Sequence, residues 1–230
     1  MRPTTIATRQ RYAAGRLRLC LGLAAWLVCS PVAVVHAGEP AAGGHHMSHD
    51  HHAMAVPKDT DDYQRTEVAY SVPDLTFRDR HGRTIRVAEL LAQNRPVMLN
   101  FIFTSCTAIC PVMTATFAQV QAGLGDERHK VQMVSVSIDP EHDTPERLTR
   151  YAQTYKAEAN WRFLTGTLDD SVALQRAFNV YRGDKMNHSP TAFIRVSPRL
   201  PWIRIDGFTT ARDLINEYRQ SQARLSAKTH

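Results

Sequence analysis

Val97-Met98-Leu99-Asn100-Phe101-Ile102-Phe103-Thr104-Ser105-Cys106-Thr107-Ala108-Ile109-Cys110-Pro111 is the stretch on which the fold turns. A mostly apolar run of strand length passes into two thiols four residues apart, then a proline. Pro111 suits the first turn of a helix and not its middle. Beyond it, Met113, Phe117, Val120 and Leu124 recur at spacings of four, three and four, which predicts an amphipathic helix. The unit therefore reads strand, joint, helix, with Cys106 and Cys110 at the joint. Open α/β sheets build their sites at that carboxyl edge. If both cysteines lie on the first helical turns, the i, i+4 spacing puts them on one face. If Cys106 is still in the loop, it folds back over Cys110. In either geometry both sulfurs reach one metal ion or each other, and a helix N-terminus favours thiolate.

The rest of the chain repeats the alternation. Leu75-Thr76-Phe77 and Thr84-Ile85-Arg86-Val87 flank the turn-rich Asp79-Arg80-His81-Gly82, which predicts a hairpin near the start of the domain. A short helix is expected from about Ala88 to Gln93. Val131 to Ile138 is a second buried-strand candidate, ending at Asp139-Pro140. Thr144-Pro145 supplies a capping hydroxyl and then proline at the first helical position. Leu148, Tyr151, Ala152 and Tyr155 give that helix one apolar face. A strand at Trp161–Leu164, a helix at Asp170–Phe178, strands at Thr191–Val196 and Trp202–Ile205 and a helix at Thr210–Leu225 complete the pattern. Strands alternating with helices, then a closing pair of strands and a helix, predict an α/β layer structure with a mixed central sheet.

The 230 residues suit one domain with appendages. Arg2, Arg9, Arg11, Arg16 and Arg18 precede an apolar run from Leu19 to Val35, and Val35-His36-Ala37 has the form of a cleavage site. Residues 1–37 are expected to be a secretory signal peptide, or else an uncleaved anchor. Either places the remainder outside the cytosol, and membrane contact then comes only through this segment. The formal net charge is +6, but residues 1–37 hold five arginines and no acid, so residues 38–230 keep 23 basic against 22 acidic side chains, a net of +1. Nucleic-acid binding thereby loses its electrostatic motive. Cys20 and Cys29 lie in the leader, which leaves Cys106 and Cys110 as the cysteines of the mature chain. In an oxidising compartment two cysteines most simply form a structural disulfide. So short a loop restrains the unfolded chain less than a long one, so the spacing favours a redox or metal role. Residues 38–67 read as a flexible tail. Inside it His45, His46, Met47, His49, His51, His52 and Met54 form a metal-handling composition, and the domain proper is expected over 68–225.

Thr-x-Cys-x3-Cys-Pro at 104–111, together with Val134-Ser135-Val136-Ser137-Ile138-Asp139-Pro140-Glu141-His142-Asp143-Thr144-Pro145, resembles the signatures of the Sco/SenC family of copper-handling proteins. His188, near the start of a late strand, stands where that family has a single histidine. The resemblance covers roughly residues 68–220. It implies a thioredoxin-like fold and one copper ion, Cu(I) or Cu(II), held by Cys106, Cys110 and His188. It implies delivery of copper to the dinuclear copper site of cytochrome c oxidase subunit II or to another copper protein, with an upstream copper donor, in the bacterial periplasm. Two thiolates suit soft Cu(I), and an imidazole also accommodates Cu(II). Asp139, at the end of its strand, could orient a ligand or move a proton, or be simply the turn residue that precedes a helix. Met186, two residues before His188, offers an extra soft donor, although a packing or exposed methionine is the simpler reading. Two features depart from the family pattern: the loop between the cysteines is Thr107-Ala108-Ile109, without the usual proline, and the segment before His188 is short.

A second reading is enzymatic. Ser189-Pro190-Thr191 resembles the cis-proline that thioredoxin-like reductases set beside their cysteines. Cys106 and Cys110 would then be catalytic, cycling through a Cys106–Cys110 disulfide as a thiol-disulfide reductase. Thr104-Ser105-Cys106 after a strand also resembles peroxiredoxins, but the spacing is not theirs.

Overall fold

The computed structural model describes residues 63–227. The expected leader and the tail residues from His45 to Met54 lie outside the described residues. The strands are β1 (Gln64–Val68), β2 (Thr76–Asp79), β3 (Thr84–Arg86), β4 (Val97–Ile102), β5 (Gln132–Ser137), β6 (Trp161–Thr165), β7 (Thr191–Arg195) and β8 (Trp202–Asp206). The helices are α1 (Val87–Ala92), α2 (Ile109–Gly123), α3 (Pro145–Thr154), α4 (Leu168–Ala177) and α5 (Ala211–Ala227). One mixed sheet has the order β1-β8-β7-β4-β5-β6-β2-β3. This is the expected mixed sheet flanked by helices, of the thioredoxin-like class.

β4 and β5 form the centre because every residue of both is buried. They pair in parallel from Val97↔Gln132 to Ile102↔Ser137, and β6 pairs in parallel with β5. Strands covered on both faces read as mostly apolar runs, which is why both were legible. β7 runs antiparallel to β4. Its first residue therefore stands at the edge where β4 ends. The ends of β4, β5, β6 and β8 and the start of β7 share that edge, and the site is built there.

Side chains alternate across the sheet. On one face Phe101, Phe178, Phe193 and Trp202 pack their rings, with Tyr70 against Phe178 and Phe193. On the other, Trp161 packs against Phe117 of α2 and Phe163, which meets Tyr151 of α3. Helix α2 also lies close to α5: a Cβ on Gly123 would come 2.8 Å from the Ile215 Cδ1. The β2–β3 hairpin forms as expected. Asp79 Oδ1 accepts from the N–H groups of His81 and Arg83, and Gly82 takes the φ of +76° that the turn requires. Thr144 caps α3 by accepting from the Arg147 N–H at 3.4 Å, with Pro145 as first helical residue.

Two features differ from expectation. The first strand starts at Gln64, upstream of the expected domain start at Val68. Gln-Arg-Thr-Glu-Val pairs only with β8, at the sheet's rim, so it needs no apolar pattern and showed none. Second, every peptide bond among the described residues is trans, so Pro190 is not the cis-proline of the reductase reading. Trans is the lower-energy form of an X–Pro bond. The Pro190 carbonyl accepts from the Gly207 N–H at 2.9 Å, in the connection leading into β7.

Phe178 is fully buried at the centre of the aromatic cluster. Phe178→Ala is expected to destabilise the domain by about 3–5 kcal/mol in urea unfolding. Val112→Ala, at a half-exposed position, is expected to stay within about 0.5 kcal/mol.

Candidate metal centre

β4 ends at Ile102, and the chain turns through Phe103–Ala108 before α2 begins. The Cys106 N–H donates to the Phe103 carbonyl at 3.2 Å, which makes the turn. Cys106 is therefore in the loop and Cys110 on the first helical turn, the second of the two geometries expected. The Cys110 N–H points at Cys106 Sγ (3.5 Å), and the Phe103 N–H points at Cys110 Sγ (3.4 Å). Both cysteines are free thiols.

Their environments differ. Cys110 is 1% exposed, whereas Cys106 is half-buried. Burial pushes the Cys110 thiol up to about 12, and the negative charge of Cys106 and Asp143 pushes the same way. Burial also acts against ionisation of Cys106. There the N–H groups of Cys110, Ala108 and Ile109 and the Cys110 thiol outweigh it, and its pKa falls below the ordinary thiol value. The donors are those of a helix N-terminus, where thiolate is favoured. The pair thus holds one sulfur ready to ionise and one that keeps its proton.

A buried carboxylate fixes the loop. Asp143 is 0% exposed. It accepts from the Thr104 N–H at 3.2 Å, from the Thr104 hydroxyl, and from the Ser137 hydroxyl at 2.6 Å. The Ser137 oxygen in turn accepts from the Asp139 N–H at 3.0 Å. The start of the cysteine loop and the end of β5 are thereby joined. On the other side of the pair, the Tyr151 hydroxyl lies 2.8 Å from Thr114 Oγ1 and 3.5 Å from the Cys110 carbonyl.

His188 follows a 3-10 turn over Lys185–Asn187 and is 7% exposed. Its Nε2 lies 3.0 Å from the Phe101 carbonyl oxygen. A carbonyl can only accept, so Nε2 carries the proton and Nδ1 keeps its lone pair. Burial lowers the imidazole pKa and keeps the ring neutral, although the bond to Phe101 acts in the opposite direction. Asp139 faces the same loop: Lys185 Nζ donates to Oδ2 at 2.6 Å, and His142 Nδ1 lies 3.1 Å from Oδ1. Burial raises the Asp139 pKa, but these two partners outweigh it and hold the carboxyl below its usual value. Beside His188 opens a cleft lined by Ile138, Asp139, Val180, Tyr181 and Lys185.

The structure brings Cys106 and Cys110 together and sets His188 at the same sheet edge. Among the described residues, no three His, Cys, Asp or Glu side chains stand close enough to share one ion. Met186 is 70% exposed in the loop, and Pro190 touches neither sulfur through any hydrogen bond among the described residues. The sequence reading missed Asp143, Thr104, Ser137 and Lys185. A signal was available for one of them: Ser137, like Ser135, is a polar residue inside a mostly apolar strand, and such residues need buried partners.

The thiol asymmetry predicts the pH profile of alkylation. Iodoacetamide should label Cys106 in the native chain with a midpoint below that of the unfolded chain, its rate rising with pH as thiolate forms. Cys110 should remain unlabelled until denaturant is added. Equal labelling of both thiols, read by peptide mass spectrometry, would contradict this assignment.

Comparison with known proteins agrees with the geometry. The SCO1/SenC family model matches residues 63–199. The SCO1 protein homolog of Bacillus subtilis is 38% identical over 98 residues, which cover 42% of this chain and 50% of that protein. The chain spans about half the length of the curated relatives it matches. BsSco, a member of the Sco family of cytochrome c oxidase assembly proteins with an identified disulfide switch, is 28% identical at a TM-score of 0.57, covering 67% of this chain and 95% of that one. Arabidopsis thaliana ScoI, solved with copper bound, has the same fold at a TM-score of 0.56 and 20% identity, covering 66% of this chain and 98% of that one. With its two sulfurs at the head of α2 and its family signature spanning most of the described domain, the chain belongs to the SCO1/SenC family.

Proposed function

We propose that the chain binds one copper ion through Cys106, Cys110 and His188. It passes that ion to the dinuclear copper site of cytochrome c oxidase subunit II, or prepares that site. The observation that carries this reading is the donor set at one sheet edge: an ionisable sulfur, a second sulfur held beside it, and a neutral imidazole with Nδ1 bare. That set fits copper better than harder ions, since thiolates select Cu(I) and imidazole serves either oxidation state. A backbone carbonyl on the far nitrogen is the usual way proteins orient a metal-binding histidine. Copper is cargo here. Cys106 takes it first, because its thiolate forms more readily. Cys110 releases its proton to water when its sulfur joins.

Other observations support the rest of the reading. Four large apolar side chains are exposed among the described residues: Val112, Leu168, Met186 and Phe208. All four stand at the edge that carries the cysteines, at helix starts or in loops, as a surface for a protein partner requires. Relatives of this family include cytochrome c oxidase assembly proteins. The leader-like residues 1–37 support export to the periplasm, with the domain released or held at the inner membrane. Among the described residues no helix is long and apolar enough to cross a membrane. The seven His and Met residues from His45 to Met54 would handle copper separately.

One observation favours thiol-disulfide reduction as a subordinate role. A half-buried thiol of lowered pKa beside a fully buried one of raised pKa suits exchange. The Cys106 thiolate would attack a partner disulfide, releasing one partner thiol and forming a mixed disulfide. Cys110 would then displace the second partner thiol and close Cys106–Cys110.

A Cu(I) titration against a chelator strong enough to strip imidazole-only sites separates these roles. The unmodified chain should retain one equivalent. Cys106→Ser and Cys110→Ser should each lose about 100-fold or more in affinity, and His188→Ala about tenfold. One equivalent held with unchanged affinity by Cys106→Ser would overturn the assignment.

A further inference from the structure

His188 is fixed at two points. Its ring is bonded to the Phe101 carbonyl, and three residues earlier Lys185 Nζ reaches Asp139 Oδ2 at 2.6 Å. The two ends of this second tie are unlike. Lys185 is on the loop, with its side chain 35% exposed, whereas the Asp139 side chain is 6% exposed. Asp139 is itself immobilised: its N–H donates to the Ser137 hydroxyl, which donates to the same Asp143 carboxylate that holds Thr104. The Lys185 ammonium also lies 5.8 Å from the centre of the Phe103 ring, on the residue whose N–H points at Cys110 Sγ. One side chain therefore references the histidine loop to the hydrogen-bond chain that fixes the cysteine loop.

The loop has few other restraints on this side. Its 3-10 turn is internally closed, with the Met186 N–H donating to the Asp184 carboxylate at 2.8 Å and the His188 N–H to the Lys185 carbonyl at 3.1 Å. Those bonds shape the turn but do not attach it to the sheet edge. Met186, at its tip, is 70% exposed and gives no packing anchor.

We propose that Lys185 is a positioning residue for copper binding: its bond to Asp139 holds the loop so that His188 stays poised toward the thiol pair. This rests on the reading of His188 as a ligand. Without the tie, the loop samples arrangements in which His188 is displaced from the Phe101 carbonyl. Apparent affinity then falls by the fraction of time the ring is in place. Surface ion pairs contribute little, but a pair with one nearly buried, pre-fixed carboxylate contributes more.

The test is Cu(I) affinity of the full chain by chelator competition, in single and double variants. Lys185→Met should weaken binding about three- to tenfold. Asp139→Asn should do the same, and Lys185→Arg should restore affinity to within about twofold. In a His188→Ala background, Lys185→Met should change nothing further, because the ring it positions is gone. Copper-free hydrogen exchange should show faster exchange at Met186, Asn187 and His188 in Lys185→Met, with the central strands unaltered. Wild-type affinity in Lys185→Met, or an equal loss in the His188→Ala background, would overturn the proposal. If His188→Ala itself binds as the unmodified chain does, while Cys106→Ser does not bind, the ligand reading of His188 fails and the positioning role with it.

Discussion

Asp143 sits at 0% exposure with its two oxygens taken up by the Thr104 backbone and hydroxyl on one side and the Ser137 hydroxyl on the other. A carboxylate so deep in the protein is tolerated only when its lone pairs are filled by donors. Leaving such a group without one of its donors typically costs about 1–3 kcal/mol, and more when the group is charged. The constraint runs outward from there. Thr104 is fixed, so the turn through Phe103 and Cys106 is fixed, and α2 starts where its N–H groups meet the Cys106 sulfur. Ser137 is fixed, so Asp139 projects beyond β5 toward Lys185. The two halves of the centre, thiols and histidine loop, are both referenced to one buried carboxylate.

The electrostatics follow from the same placement. Cys110 lies beneath the loop, near Asp143, and holds its proton up to about 12. Cys106 lies above it, where helix N–H groups favour thiolate. Two sulfurs of equal character would either repel as thiolates or resist ionisation together. In the proposed role the unequal pair would take up a soft cation stepwise, with Cys110 giving up its proton as its sulfur joins. The same inequality suits disulfide exchange, so the proposed copper binding and thiol chemistry would need no separate machinery on this scaffold.

Much of this was legible in the sequence for physical reasons. β4 and β5 are buried on both faces, so each is a mostly apolar run. The helix α2 declared itself by Met113, Phe117 and Val120, all buried. The joint between them located the thiols at the sheet edge. β1 was illegible because a rim strand paired on one side needs no apolar pattern. The tie between Thr104 and Asp143 was illegible because hydrogen bonding between residues 39 positions apart leaves no local periodicity. The cis-proline expected at Pro190 was a family analogy, and the local chain adopts the ordinary trans bond instead. His188 was located only through the resemblance; its tautomer, set by the Phe101 carbonyl, required the tertiary structure.

The central claim is that Cys106, Cys110 and His188 share one copper ion. X-ray absorption at the copper edge, on the full chain loaded with less than one equivalent of Cu(I), tests it most directly. The account predicts two sulfur neighbours and one imidazole, with the imidazole scattering lost in His188→Ala and sulfur scattering reduced in Cys110→Ser. A copper ion surrounded by nitrogen and oxygen alone, or a spectrum unaltered by either substitution, would contradict it.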